Sequence, residues 1–233
     1  MIRNLRIDRP KSLSRMVAEE IKEAILKGVL KPGDKLVETD LTQSLGVSRT
    51  PLREAFRELA AEGYITVVPH KGSYVSTISE DEVLDIYSIT SVLEGLATRL
   101  ATPILNSSGE PRKNLLAIFE NLKEKSRLGD VDTYWASNRD FHQFIAKASG
   151  NDRLFSLIES LRRQILKTRV ITLRYPGRLK ESLKEHEEIM EAILAGKERE
   201  AEELVIEHIK KQRQFVLSLL RSEEEGPEQE RKE

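Results

Sequence analysis

The chain is 233 residues long, 39% hydrophobic and 33% charged, with a net charge of −1 and no cysteine. That length suits one large domain or two small ones of ~100–150 residues, and the missing cysteine excludes disulfides and thiolate metal sites. Residues 1–17 hold no apolar signal core and no stretch approaches the ~18 apolar residues of a membrane span, so a cytoplasmic protein is expected.

In chain order, Leu13, Met16, Val17, Ile21, Ile25 and Leu26 recur at helical spacing and predict a helix over 12–27, opened by Ser12 or Ser14 and closed by Gly28. The Lys31-Pro32-Gly33 turn keeps it from resuming. A short helix follows over Glu38–Leu45, with Leu41 and Leu45 as its apolar positions and Gly46 as its stop. Ser48 is placed as the N-cap of a second helix, with Pro51 in its first turn and Leu52, Ala55, Phe56 and Leu59 as its buried stripe. The period then changes: Tyr64–Val68 and Ser73–Ser76 are β-rich and flank a Pro69–Gly72 turn, a two-stranded hairpin. From Ser79, which forms a capping box with Glu82, helices are expected near 79–101, 110–127, 130–149, 151–174, 178–195 and 197–222. Pro103, Asn106 to Gly109, Gly129, Gly150, Pro176-Gly177 and Gly196 mark breaks between them. The charged segment 223–233 should be disordered.

This order predicts a mainly α protein: an N-terminal winged helix-turn-helix with a small hairpin wing over 1–78, then an all-α bundle over 79–222. Residues 1–77 carry 13 Lys and Arg against 10 Asp and Glu, whereas the rest carries 25 against 29. The front is mildly basic and the back mildly acidic, and a local basic patch is still needed to argue DNA binding. Within it, Ser48, Arg49, Thr50, Arg53 and Arg57 share the polar side of the second helix, opposite Leu52 and Phe56. Short polar and cationic groups at a helix N-terminus suit the major groove, where Arg pairs with guanine, and the helix end itself attracts phosphate. His70, Lys71 and Gly72 at the wing tip are placed to reach the minor groove or backbone.

Leu41 through Leu59, then Glu62-Gly63-Tyr64 and Gly72-Ser73-Tyr74-Val75, with the run VSRTPLREAFRELAAEGYI, resemble the GntR family of bacterial regulators. The resemblance implies that Arg49, Thr50 and Arg53 contact bases or phosphates. It departs at Thr39, where several members carry a DNA-contacting Arg.

Three of the four histidines, His142, His186 and His208, fall in the helical part, and Asn138 shares a helix face with His142 at i, i+4. Imidazoles suit first-row divalent ions, and three of them with one oxygen donor leave room for a water or a ligand carboxylate. Buried or surface structural histidines would give the same spacing. NRDFHQFIAKASGN and SLKEHEEIMEAILAGKEREAEELVIEHI resemble the FCD ligand-binding domain of the FadR subfamily. That resemblance implies a divalent metal, zinc, nickel or manganese, held by an Asp and three His with the effector on or beside it. His142, His186 and His208 match the histidines, but the Asp position is Asn138. Thr90 stands where the family's YxxRxxLE pattern has an Arg expected to hold a carboxylate effector.

The expected function is an effector-responsive transcriptional regulator and repressor. It would act as a homodimer on double-stranded operator DNA, with a small-molecule effector, a carboxylate among the candidates, and no catalytic residues. A metalloenzyme would need a base or nucleophile motif, and none is found. A helical domain that only dimerises is the remaining alternative.

Overall fold

The computed structural model describes residues 12–165, 168 and 178–224. The chain divides into two compact units, residues 1–77 and 78–233.

In the first unit, α1 (Leu13–Leu26) is capped by Ser12, whose hydroxyl accepts from the Arg15 N–H. The two-residue strand β1 (Lys35–Leu36) comes next, then α2 (Glu38–Leu45), closed by Gly46 at φ 65°. α3 (Arg49–Ala61) buries Leu52, Ala55, Phe56 and Leu59. β2 (Ile65–Val68) and β3 (Gly72–Val75) form the wing, with Ile65 opposite Val75 and Val68 opposite Gly72. The sheet has three strands in the order β1-β3-β2, one more than the sequence suggested. Two residues are too few to show a period of two. β1 is fixed instead by long-range backbone bonds beside it, from the Gly33 N–H to Val75 O (3.1 Å) and from the Val75 N–H to Asp34 O (2.9 Å). Val17, Ile21 and Ile25 of α1, the apolar stripe of α3, and Leu36, Tyr64, Ile65 and Val75 make up the core.

The second unit is entirely helical among the described residues: α4 (Glu80–Asn106), α5 (Glu110–Leu128), α6 (Val131–Ala148), α7 (Asp152–Ile165), α8 (Leu179–Leu194) and α9 (Glu198–Glu224). The Ser79–Glu82 capping box is formed. α4 was expected to stop before Pro103 but continues through it to Asn106. Pro103 lies on the exposed face, where a freed carbonyl can meet water, and fully buried Ala101 and Leu105 hold the following turn to the core. The rest of the helix expected over 151–174 lies outside the described residues apart from Thr168. So do residues 225–233. Residues 223 and 224, expected in the disordered tail, instead finish α9. Buried Val216, Leu217 and Leu219 anchor its last turns, and Arg221 meets Glu80 at 2.8 Å. The main core joins Tyr87, Leu105, Leu115, Leu122, Phe141, Ile189, Ile193 and Val205. No helix among the described residues is long and apolar enough to cross a membrane.

Candidate nucleic-acid interface and metal centre

Burial of Leu52 and Phe56 turns the other side of α3 outward, and Ser48, Arg49, Thr50, Arg53 and Arg57 are all exposed. Ser48 occupies the N-cap position, but its side chain makes no capping bond, so its hydroxyl is available to a partner. Arg53 is committed in part. Its guanidinium donates to both carboxylate oxygens of Glu38 at 2.9–3.1 Å, and this pairing holds the Glu38 carboxyl below its ordinary range. Arg49 thus offers the less encumbered charge at the helix N-terminus. Thr39, on α2, donates to Asp40 at 3.1 Å.

At the wing, the turn is Pro69-His70-Lys71, closed by the Lys71 N–H on Val68 O (3.0 Å), and Gly72 already begins β3. His70 sits at φ 61°, a left-handed conformation in which histidine is commoner than most residues but still infrequent. His70, Lys71 and Gly72 are exposed.

In the helical unit, α6, α8 and α9 bring His142, His186 and His208 into one buried cluster, with one nitrogen from each lying within 4.8 Å of the others. The outer nitrogen of each ring is spoken for. His142 Nδ1 lies 3.0 Å from Glu94, His186 Nδ1 2.6 Å from the Ser182 carbonyl, and His208 Nδ1 2.7 Å from Glu185. All three partners are acceptors only, because both carboxyls are ionised. Burial acts to raise Glu94, but Arg162 and then His142 outweigh it and bring it down to about 2. Glu185 is likewise opposed by burial yet lowered to about 2 by bonds from His208 and Arg178. Each Nδ1 must therefore carry a proton.

Burial, then Arg162, lowers His142 to about 4, and burial with the neighbouring imidazoles lowers His186 well below its ordinary value. Both rings are neutral near pH 7, so their Nε2 atoms present lone pairs. Those two atoms face each other at 3.1 Å with no proton to share. Two lone pairs at that distance repel, and a cation between them replaces the repulsion with two bonds. Metal–nitrogen bonds of ~2.0–2.1 Å place neighbouring ligands ~3.0–3.4 Å apart, so the spacing fits. Acceptors on the Nδ1 protons are the usual outer support of metal-bound histidine.

Asn138 stands one turn before His142 on α6, and its Oδ1 is buried with no hydrogen-bond partner. An orphaned buried carbonyl oxygen needs an explanation, and coordination of a cation supplies one. Thr90, 1% exposed, also has a hydroxyl without a partner, as does the Nε of Arg162.

The supporting residues Glu94, Glu185, Arg162 and Arg178 were not singled out from the sequence. Glu94 had a readable signal: it lies on the α4 face that carries Tyr87 and Ala101 into the core, where a carboxylate must be paired. Glu185 had none. It precedes His186 but serves His208, on another helix.

An exposed cationic helix with a wing, followed by an all-helical unit with a buried polar centre, defines the class of two-part winged-helix DNA-binding proteins. Residues 13–75 match bacterial regulatory proteins of the gntR family, and residues 85–211 match the FCD domain. The chain belongs to the GntR family, in the group whose C-terminal part is an FCD domain. It is 28% identical over 227 residues to the uncharacterized HTH-type transcriptional regulator YdhC of Bacillus subtilis (strain 168), covering 97% of this chain and 99% of the relative. It is 30% identical over 197 residues to the "Probable D-xylose utilization operon transcriptional repressor" of Paenarthrobacter nicotinovorans, covering 83% and 85%. Among solved structures, McbR/YncC of E. coli shares the fold, with a TM-score of 0.62, 24% identity, and coverage of 91% of this chain and all of that one. The relatives are transcriptional regulators, not enzymes.

Proposed function

We propose that this regulator binds operator DNA through α3 and the wing, and that a divalent ion held by His142, His186 and His208, with Asn138 as the oxygen donor, forms the floor of its effector site. The observation that carries the reading is the approach of two deprotonated Nε2 atoms, of His142 and His186, to 3.1 Å inside a buried cluster. Zinc and nickel are among the ions that imidazole ligands suit. A bound ion would supply a positive centre for an anionic effector, while Glu94, Ser182 and Glu185 fix the rings. The effector shifts the regulator between two arrangements by binding one better than the other. Repression is the direction supported by the relatives named as repressors.

The unit that reads DNA is one half of a two-fold pair, so the regulator is a homodimer. α4 supports this: Ile89, Val92, Leu100 and Ile104 are exposed along it, and Leu157 on α7 is exposed as well. Of the two charges within that stretch, Glu94 is buried and paired with Arg162, and Arg99 is tied to Glu202 at 2.9 Å. Two copies of this face can therefore meet without opposing like charges. Val92→Glu should shift the protein toward monomer in sedimentation.

Metal content of untagged protein, never exposed to a nickel column, tests the central claim. About one divalent ion per chain is expected, and its loss in His186→Ala. Absence of metal in both proteins after dialysis against zinc and nickel would refute the site.

A further inference from the structure

We propose that Asn138 makes this site a two-component receptor, in which the divalent ion and a small oxyanion bind as mutually dependent partners. The inference rests on the metal-site reading above and concerns its charge. Three neutral imidazoles and one amide oxygen give the ion no negative ligand. The surrounding carboxylates do not compensate, because each already has its own cation: Glu94 is paired with Arg162, and Glu185 with Arg178 at 2.8 Å and with Lys211 at 3.7 Å. The ion would thus keep its full double charge in a buried place, which is unfavourable unless a counter-charge joins it. An aspartate at position 138 would supply part of that charge. The asparagine leaves it to the ligand.

A second observation points to the same partner. Thr90 precedes Glu94 by one turn on the buried face of α4, and Arg162 bonds to Glu94 from α7. Both the Thr90 hydroxyl and the Arg162 Nε–H are buried donors without an acceptor. Donors left open around Glu94, the carboxylate that supports His142, fit an oxyanion, a carboxylate or a phosphate, that would offer one oxygen to the ion and another to these groups. Binding of either component then strengthens binding of the other by the same factor.

The test measures zinc affinity of the full chain by competition with a chromogenic chelator at constant ionic strength. It is run without added anion, then with malonate, inorganic phosphate or acetate, and His186→Ala corrects for zinc bound by the anions themselves. Malonate or phosphate should tighten zinc binding about tenfold or more, and acetate less. A response to malonate alone identifies a dicarboxylate as the partner, and a response to phosphate alone a phosphate. Asn138→Asp should bind zinc at least about tenfold more tightly without anion and lose the coupling. Thr90→Val, which keeps the shape and removes the donor, should reduce the coupling with zinc affinity unchanged. Zinc binding that depends on His186 but is the same with and without every anion would overturn the proposal and leave the metal site standing. Zinc binding that is weak and equal in the wild type and His186→Ala would mean that the metal reading itself has failed.

Discussion

The two units solve recognition in opposite ways. In the DNA-binding unit, the groups proposed to meet the partner lie in two short runs, 48–57 and 70–72, and all are exposed. In the helical unit they come from α4, α6, α8 and α9, far apart in sequence, and the three histidines are buried. An exposed cationic surface acts on a large, hydrated polyanion and gains affinity by releasing counterions. A buried polar cluster acts on something small and depends on every hydrogen bond being satisfied. Charge number governs the first and geometry the second.

Ionic strength should separate them most widely. Raising salt from about 50 to 200 mM should weaken operator binding ~10³–10⁵-fold if the dimer makes ~6–10 phosphate contacts. Metal affinity of the buried cluster should change far less. Comparable salt dependence in the two assays would break the contrast. Next in size is Glu185→Gln, which removes the carboxylate behind His208. Metal affinity should fall about 10–100-fold, measured by chelator competition, with DNA binding of the metal-free protein unchanged. Arg49→Ala should cost about 1–3 kcal/mol of operator binding if it reads a base. A gel-shift series on mutated operators would then show relaxed specificity at one position. Equal weakening on every sequence would make Arg49 a phosphate contact instead.

Smallest in functional terms is Gly95→Val. A Cβ at position 95 would lie 2.7 Å from Ile206 Cγ1 and 3.2 Å from the Glu202 carbonyl oxygen. About 1–3 kcal/mol of stability should be lost through overpacking of the helical unit, seen as a lower Tm, while the DNA-binding unit keeps its own secondary structure.

The same contrast explains what could be read in advance. α3 announced itself because its apolar stripe and its cationic side alternate within thirteen residues, and the hairpin because its period switches locally. The three histidines and Asn138 could be named from the residues that surround them. Their convergence, the 3.1 Å approach of two nitrogens and the acceptors behind them could not, since each depends on how separate helices pack. β1 and the passage of α4 through Pro103 were missed for a related reason: tertiary contacts, not local propensity, decide both. The commitment of Arg53 to Glu38, fifteen residues away and on another helix, belongs to the same class.

Gly95 also sets a mechanical tolerance for the helical unit. It is the neighbour of Glu94, and it is where α9, the helix of His208, comes close enough to α4 to leave no room for even a methyl group. The residue that supports His142 and the helix that carries His208 thus meet at one point of contact, so a shift of either helix is felt by both rings. From Glu94 to the start of α4 at Glu80 is fourteen residues, a rod of ~21 Å that begins three residues beyond the last residue of the DNA-binding unit. A displacement at the proposed metal centre would therefore be passed along α4 toward its first turn at Glu80.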